Sequence, residues 1–204
     1  PDVVRIVSSE DDNIVNINGI KVATLKAGDF YEIKQLTAPI SIQATSPILV
    51  GQYLHTSVYG TQGSQPAYGD PAYALVFPVE QFDTTYTFML AEDQQAFTGN
   101  FINIVADPAG ITSMMLDGKS ITGAPFNASF FPIPGSNYQY TQIQLPQGAH
   151  NIYSNKSFGI TVYALGNVNS YSYPGGSLLK TITPFKTIDL VIDFGVRVMT
   201  GTRP

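Results

Sequence analysis

The Asn18-Gly19 pair, placed inside the alternating apolar segment Ile14–Ala23, is the sequence feature that most constrains how this chain can fold. Asn-Gly accepts the positive φ angles that a type I′ turn needs, so the segment predicts a β-hairpin. Asp117-Gly118 lies in the same way between Ile111–Leu116 and Lys119–Ile121 and predicts a second hairpin. Tight turns between short strands are typical of an all-β protein.

The rest of the chain offers little support for helices. The 14 Pro and 18 Gly residues divide it at short intervals, as in sandwiches rather than in alternating strand and helix units. The best helix candidate, Leu90–Phe97, is short, and we interpret it as an irregular loop. We therefore expect an all-β fold with essentially no helix.

The two hairpins belong to a longer pattern that is repeated within the sequence. Ile6-Val7 precedes the first hairpin as Ile104-Val105 precedes the second, and Ser46–Tyr53 aligns with Lys156–Tyr163, both ending in Tyr. This pattern predicts two diverged β-sandwich halves, packed together, with Greek-key-like connections. The alternative is chance, because all-β chains share hairpin patterns.

We divide the chain into a first half, residues 1–66, a second half, 67–180, and a C-terminal extension, 181–204. In the extension, Thr187–Met199 alternates large apolar residues with polar ones, which indicates an amphipathic strand. One face of this strand must be buried. It closes the edge of its own sheet, begins a following domain, or pairs with a neighbouring subunit through residues 187–198 to form a homo-oligomer.

Two segments carry a family resemblance: GDPAYALVFPVEQF, from Gly69 to Phe82, and SYSYPGG, from Ser170 to Gly176. Together with the opening IVSSEDDN and INGIKVATLKAGDFYE and the later FGITVYALG, they resemble the IgG Fc-binding protein N-terminal domain family. The resemblance covers residues 4–176 as one family domain. It implies a β-rich extracellular module, of a kind also found in large bacterial surface proteins.

The resemblance implies binding or adhesion at a cell surface, with a protein or a glycan as the ligand. The alternative is a structural subunit of a surface appendage or fibre that self-associates through its C-terminal strand. The motif residues suit turns, because Pro fixes φ, Gly permits unusual φ and Asp70 can cap its own turn. We assign a structural role, with a ligand role as the alternative, to Gly69, Asp70, Pro71, Glu80, Gln81, Pro174, Gly175 and Gly176.

Composition fits an extracellular and bacterial protein. Hydrophobic residues make up 44% of the chain, charged residues only 12%, and there is no Cys. The absence of Cys favours a bacterial or phage surface protein over a disulfide-bonded secreted domain, and the alternative is a core large enough to need no disulfides. A net charge of −5 without a basic cluster argues against nucleic acid as a partner. No apolar run approaches the ~18 residues needed to cross a bilayer, so we expect no membrane insertion.

The sequence predicts neither catalysis nor a cofactor, and the alternative is a carbohydrate-active enzyme that uses two of the 15 Asp and Glu carboxylates. The only imidazoles are His55 and His150, and no Cys nucleophile or Gly-x-Ser-x-Gly turn accompanies them. Zinc sites need clustered His and Cys, which this chain lacks. Glu10, Asp11 and Asp12 form a weak calcium candidate, although Asp and Asn are also the usual residues of solvated turns.

Tyrosine carries the binding hypothesis, since 12 Tyr and no Trp favour contacts made by flat rings and hydroxyl groups. In two loops the tyrosines alternate with amides, a combination that suits a sugar. The predicted ligand-binding residues are Tyr59, Gln62, Gln65, Tyr68, Tyr73, Asn167, Asn169, Tyr171 and Tyr173. Packing at half-buried positions is the alternative for the loop tyrosines, and it is the interpretation we give to Tyr53 and Tyr163.

Overall fold

The computed structural model describes residues 2–54, 69–166, 168–178 and 188–192, the last of these by their backbone alone. Within these residues, strands dominate and the helices are single turns, which confirms the all-β prediction. The strands are β1 Asp2–Ser8, β2 Asn13–Ile17, β3 Ile20–Leu25, β4 Phe30–Leu36, β5 Ile40–Ala44, β6 Ile48–Leu54, β7 Ala72–Val76, β8 Asp83–Leu90, β9 Gly99–Ala106, β10 Met115–Leu116, β11 Lys119–Ser120, β12 Phe131–Pro132, β13 Gln139–Gln144, β14 Gly148–Gly166, β15 Asn169–Pro174 and β16 Ile188–Ile192. The helical turns are α1, Pro108–Ile111, and a 3-10 turn at Val79–Gln81.

The first sandwich consists of two antiparallel sheets, ordered β4-β1-β6-β7 and β16-β5-β2-β3. Alternation in β1 turns Val4 and Ile6 inward, and both side chains are fully buried. They share a core with Val15, Ile42 and Val50 from both sheets. The period-2 pattern of the sequence therefore determines which face of each strand is buried.

The second sandwich repeats this strand order. Its strands form one continuous eight-stranded sheet, in which the part β13-β9-β14-β15 corresponds to β4-β1-β6-β7 and the part β8-β14-β10-β11 corresponds to β16-β5-β2-β3. The 19-residue strand β14 belongs to both parts, because its first section pairs with β8 and β10 and its second section with β9 and β15. The core between these two parts includes Leu90, Ile104 and Ile152.

The residue pairs correspond as well as the strands. Ile6 pairs with Val50 as Ile104 pairs with Ile160. Ile17 pairs with Ile42 as Leu116 pairs with Ile152. Tyr53 and Tyr163, aligned in the sequence, pair with Val3 and Phe101. Two diverged halves are thus present, as the repeated pattern in the sequence predicts.

The hairpin turns provide the closest match between the halves. Asn18, at φ 53°, donates its N–H to Ser41 O (2.9 Å) and accepts the Ser41 N–H at Oδ1 (3.0 Å). Asp117, at φ 49°, makes the same two bonds to Asn151, at 2.8 and 3.0 Å. Asn and Asp tolerate this left-handed backbone, and their side-chain oxygen anchors the turn to the neighbouring strand.

Three details of the predicted organisation need correction. The boundary at 66 and 67 moves to 77–82, because β7 pairs with β6 and completes the first sandwich. The second hairpin is shorter than Ile111–Leu116 suggested, because Asp107 caps the Ala109 N–H and starts α1, leaving Met115–Leu116 as strand. The segment 91–98 is irregular, as predicted, with a turn in which the Asp93 carboxylate accepts from Gln95 and Ala96.

The described part of the C-terminal extension belongs to the first sandwich. Its described strand, β16, pairs antiparallel with β5, so that Leu190 is opposite Ile42. In the second sandwich the same position is filled by β8, where Tyr86 is opposite Ile152. Of the three alternatives for this strand, the structure shows closure of a sheet within the same chain. Residues 193–198 lie outside the described residues.

The two sandwiches are in direct contact. Leu54 of the first packs in one cluster with Tyr163 and Leu165 of the second. Ser41 Oγ donates to Pro134 O (2.8 Å), and Gly135 lies so close to Asn18 that a Cβ would stand 2.6 Å from its backbone. No helix in the described part of the chain has the length and apolar character to cross a membrane.

Candidate functional site: an exposed aromatic face

The outer side of the sheet β4-β1-β6-β7 presents large apolar side chains to solvent. Phe30 is 53% exposed, Leu49 56%, Tyr53 37% and Tyr73 46%. Residues on this side alternate along each strand with the buried core residues. We call this surface the aromatic face and define it by Phe30, Leu49, Tyr53 and Tyr73 together with Arg5 and Glu32. A cluster of exposed apolar groups of this kind marks interaction sites.

Tyr53 and Tyr73 form one end of the aromatic face. They are opposite each other on β6 and β7, with ring centroids 4.8 Å apart and planes at 48°. The Tyr73 ring lies over Gly51, where a Cβ would stand 2.5 Å from Tyr73 Cε2. Glycine at this position therefore allows the ring to lie on the strand. Partial burial, followed by the neighbouring Tyr53, raises the pKa of the Tyr73 hydroxyl.

Arg5 and Glu32 form the centre of the aromatic face. Arg5 Nη2 and Nε donate to Glu32 Oε2 at 2.6 and 3.1 Å, and the hydrogen bond raises the pKa of Arg5. The guanidinium carbon lies 4.7 Å from the centroid of Phe30 and 5.8 Å from that of Tyr53. Arg5 therefore connects rings on both sides of its strand by cation–π contacts.

The corresponding face of the second sandwich is partly covered. Tyr163, the counterpart of Tyr53, is 1% exposed because Leu54 and Leu165 pack around it. The counterparts of Arg5 and Glu32 are Asn103 and Gln142, opposite each other on β9 and β13, and the Gln142 amide donates to Asn103 Oδ1 at 3.2 Å. The corresponding positions thus hold an ion pair in the first sandwich and two amides in the second.

The packing interpretation of Tyr163 agrees with this burial, but Tyr53 is more exposed than that interpretation implies. Among the predicted ligand-binding residues, Tyr73 lies in the aromatic face. Five others, Tyr59, Gln62, Gln65, Tyr68 and Asn167, lie outside the described residues. The described residues next to them are in contact, because Gly69 N donates to Gly166 O at 2.7 Å.

Tyr171 and Tyr173 are half-buried against the second core. The Tyr171 hydroxyl accepts from Ala91 N (2.9 Å), and burial is the main cause of its raised pKa. The Tyr173 hydroxyl donates to Met89 O (2.6 Å) and accepts from Met89 N (3.2 Å). These contacts give both tyrosines a packing role. Asn169 is exposed at the start of β15.

Several family-motif residues make close contacts between strands. Gly69 has φ 89° and faces Leu165, and the adjacent Asp70 bonds through its backbone N–H and C=O to Ser170 Oγ. Asp70 thus anchors its segment to β15 through its backbone, whereas we predicted a cap made by its carboxylate. Pro71 follows directly and leads into β7.

The second motif packs in the same close manner. Gly175 follows Pro174, donates to Ile160 O (2.9 Å), and leaves no space for a Cβ beside the Ile160 side chain. Gly176, at φ 145°, faces the Tyr86 ring. Glu80 and Gln81 form the 3-10 turn, where Gln81 O accepts from Leu178 N (2.8 Å). These contacts support a structural role for the motif residues.

The sequence singles out a calcium candidate and two imidazoles among the titratable residues. No group of three or more His, Asp or Glu side chains in the described ranges is arranged to hold a metal ion. Of the calcium candidates Glu10, Asp11 and Asp12, Asp11 accepts the Ala27 N–H at Oδ1 (3.0 Å). His150 is buried on Phe88, and its two ring nitrogens contact Asp117 Oδ2 (2.7 Å) and Pro146 O (3.0 Å). His55 lies outside the described residues.

Sequence reasoning missed Phe30, Arg5 and Leu49 as parts of a surface. The available signal was alternation: Arg5 separates the apolar pair Val4 and Ile6, which fixes its strand position as outward-facing. What the sequence could not provide is the lateral order β4-β1-β6-β7, which brings these distant segments together.

Comparison with known proteins finds one family. Residues 1–164 match the family model described as IgGFc binding protein. No curated protein and no solved structure shows significant similarity to the chain.

Proposed function

The chain belongs to the IgGFc binding protein family, and from this membership we propose that it is an extracellular module that binds a protein ligand through the aromatic face. The observation that carries the proposal is the exposure of Phe30, Leu49, Tyr53 and Tyr73 on one sheet surface. Each Å² of apolar surface removed from water contributes about 25 cal/mol, so a partner gains affinity by covering these side chains.

The shape of the aromatic face favours a protein surface. Four adjacent strands are about 14 Å across at the usual ~4.8 Å spacing, and their outer side is open. Tyr and Arg are enriched among residues that dominate protein–protein binding, and Arg5 lies between the rings. Since Arg5 is paired with Glu32, the centre of the face has no net charge to select a highly charged ligand.

The proposal includes no catalysis and no cofactor. His150 supports this view, because both of its ring nitrogens already face oxygen acceptors. Adhesion to a surface and a bacterial origin, inferred from the sequence, remain predictions. Self-association through the C-terminal strand is a weaker alternative, because β16 pairs with β5 of its own chain.

A binding measurement with matched variants tests the proposal, and the family description makes the IgG Fc fragment the first probe. We expect Phe30→Ser and Leu49→Ser each to weaken binding at least about tenfold, in the range of interface hot spots. Tyr153→Ser is the control, since Tyr153 is 48% exposed on the second sandwich. Thermal unfolding of each variant verifies folding.

Equal affinities for all three variants would place the ligand elsewhere on the molecule. Loss of binding after enzymatic removal of the Fc glycan would identify the ligand as a glycan. If the intact chain does not bind the Fc fragment, the Fc region is excluded as its ligand, and the same variants apply to other extracellular proteins.

A further inference from the structure

We propose that a groove on the second sandwich binds a neutral saccharide, at a site separate from the aromatic face. The groove has a volume of about 610 Å³ and lies between β13 and the segment 125–131. Pockets of ~300–1,000 Å³ are the usual size for small ligands. Phe101 and Pro146 lie at its margins.

The lining combines aromatic rings with amides. Phe131, 51% exposed, lies beside Tyr140, with ring centroids 5.9 Å apart and planes at 44°, and Phe126 also faces the groove. The exposed Gln144 contributes a whole amide, whereas Gln142 contributes its amide oxygen, because its amide nitrogen already donates to Asn103 Oδ1 and to the Tyr163 hydroxyl. A sugar ring places its C–H face on an aromatic ring while its hydroxyls exchange hydrogen bonds with amides, so this lining matches both parts of a saccharide.

The lining also argues that the ligand is neutral. Among the described residues, those that line the groove include no Lys, Arg, Asp, Glu or His. Comparison of the two halves supports a neutral ligand. At the positions where the first sandwich has the ion pair Arg5 and Glu32, the second has the uncharged pair Asn103 and Gln142. A charged ligand would find no counter-ion here, whereas a neutral saccharide needs none and can bond through its hydroxyls to the amides.

An inserted segment builds one wall of the groove. In the first sandwich β3 connects to β4 through residues 26–29, whereas residues 121–138 occupy the corresponding connection between β11 and β13. The wall is held by backbone bonds, from Asn127 N to Gly123 O (2.8 Å) and from Ala128 N to Ile121 O (3.0 Å). This wall converts a sheet face into a concave site that is formed before any ligand arrives.

An extended peptide is the competing occupant of the groove. Peptides commonly bind by adding a strand to a sheet edge, and β13 has an open edge from Thr141 to Gln144, because β12 pairs only with Gln139 and Tyr140. The groove offers no charged group to hold a peptide terminus or an ionic side chain, and this favours the saccharide.

A glycan array of neutral and acidic oligosaccharides, followed by titration calorimetry with the best neutral binder, tests the proposal. We expect neutral glycans to bind, and Phe131→Ala and Gln144→Ala each to weaken binding at least about tenfold. Met89→Ala, at a residue 52% exposed on β8, serves as the control that leaves binding unchanged. Both groove positions are exposed or at the rim, and unchanged thermal unfolding verifies that the variants fold.

Three outcomes would overturn the proposal: no glycan bound by the intact chain, binding that survives both groove variants, or a preference for acidic glycans. A peptide library that binds in a Phe131-dependent way, with no glycan bound, would assign the groove to peptides instead. Because Phe30 and Leu49 lie on the other sandwich, failure here leaves the aromatic face untouched, and the reverse also holds.

Discussion

Gly135 allows the two sandwiches to approach closely, because it has no side chain. Its φ is 70°, and an added Cβ would stand 2.6 Å from the backbone of Asn18 and 2.8 Å from Ser41 Oγ. Gly19 has a similar φ of 78° but no atom within 4 Å of its Cβ position. Substitution of Gly19 therefore measures the free-energy cost of a left-handed backbone alone, whereas substitution of Gly135 adds the cost of a steric clash.

Gly19→Ala is expected to destabilise the fold by about 1–2 kcal/mol, the cost of a left-handed conformation for an L residue. Gly135→Ala should cost more, because the Asn18 backbone must also move. Urea unfolding measures both free energies. Equal values would show that the sandwiches separate at this point without cost.

The buried hydroxyl of Tyr86 is expected to make the folded state less stable at alkaline pH. Its hydroxyl donates to Phe158 O (2.5 Å) and accepts from Asp83 N (2.8 Å), and burial raises its pKa from 10.0 to about 12. Since the folded state holds the proton more tightly, stability from this group is complete below about pH 10 and falls as pH rises towards 12. The loss at full ionisation is about 2–3 kcal/mol.

Urea unfolding at about pH 8 and about pH 11 measures this dependence on pH. Tyr86→Phe lowers stability at the lower pH, because two hydrogen bonds are lost, but it should flatten the decline with pH. An equally steep decline in the variant would attribute the alkaline loss to other tyrosines, such as Tyr171, whose pKa is also raised.

Among the secondary-structure elements, the sequence predicts those that depend on local residue type, such as hairpin turns. Both hairpins form at Asn18-Gly19 and Asp117-Gly118, where residue type determines the sign of φ. The dual role of β14 was not predictable, because a 19-residue strand with a register shift has no turn signal to mark the place where it changes pairing partners. The aromatic face was missed for a related reason: its residues become neighbours only through lateral strand order.

The sequence could not determine which strand pairs with β16, and the structure shows that this strand is β5. Gln43 is opposite Asp189 in this ladder. Because the chain has no Cys, Gln43→Cys with Asp189→Cys places a single thiol pair at directly opposed positions, which suits a disulfide. We expect an intramolecular bond, seen as a monomer of increased mobility on non-reducing gels. Disulfide-linked dimers or ladders would instead support self-association through this strand.

The whole molecule consists of two copies of one sandwich that differ in what they expose. The first leaves its outer sheet face open, whereas the second has covered part of that face and enclosed the rest in a groove. The contact cluster of Leu54, Tyr163 and Leu165 joins the copies. The repeated pattern in the sequence predicted the two halves, but not the surface by which they meet, because no local pattern indicates that Leu54 of one half contacts Tyr163 and Leu165 of the other.

Leu54→Ala is therefore expected to weaken the coupling between the sandwiches. Leu54 is 5% exposed, and removing such a side chain costs about 2–5 kcal/mol. In scanning calorimetry we expect one transition for the native chain and two for Leu54→Ala. Leu36→Ala is the control, since Leu36 is buried inside the first core and away from the contact. A single transition in Leu54→Ala would show that other contacts suffice.

The strand β16 also determines how the molecule responds to pulling. Asp2 in β1 and Ile192 in β16 both belong to the first sandwich, although the chain between them passes through the second. Tension applied at these two points is borne by the first sandwich, with the β16–β5 ladder in the load path. We expect the second sandwich to carry no tension until the hydrogen bonds between β16 and β5 break. Separation of β16 from β5 would then increase the distance between the two pulling points before the second sandwich unfolds.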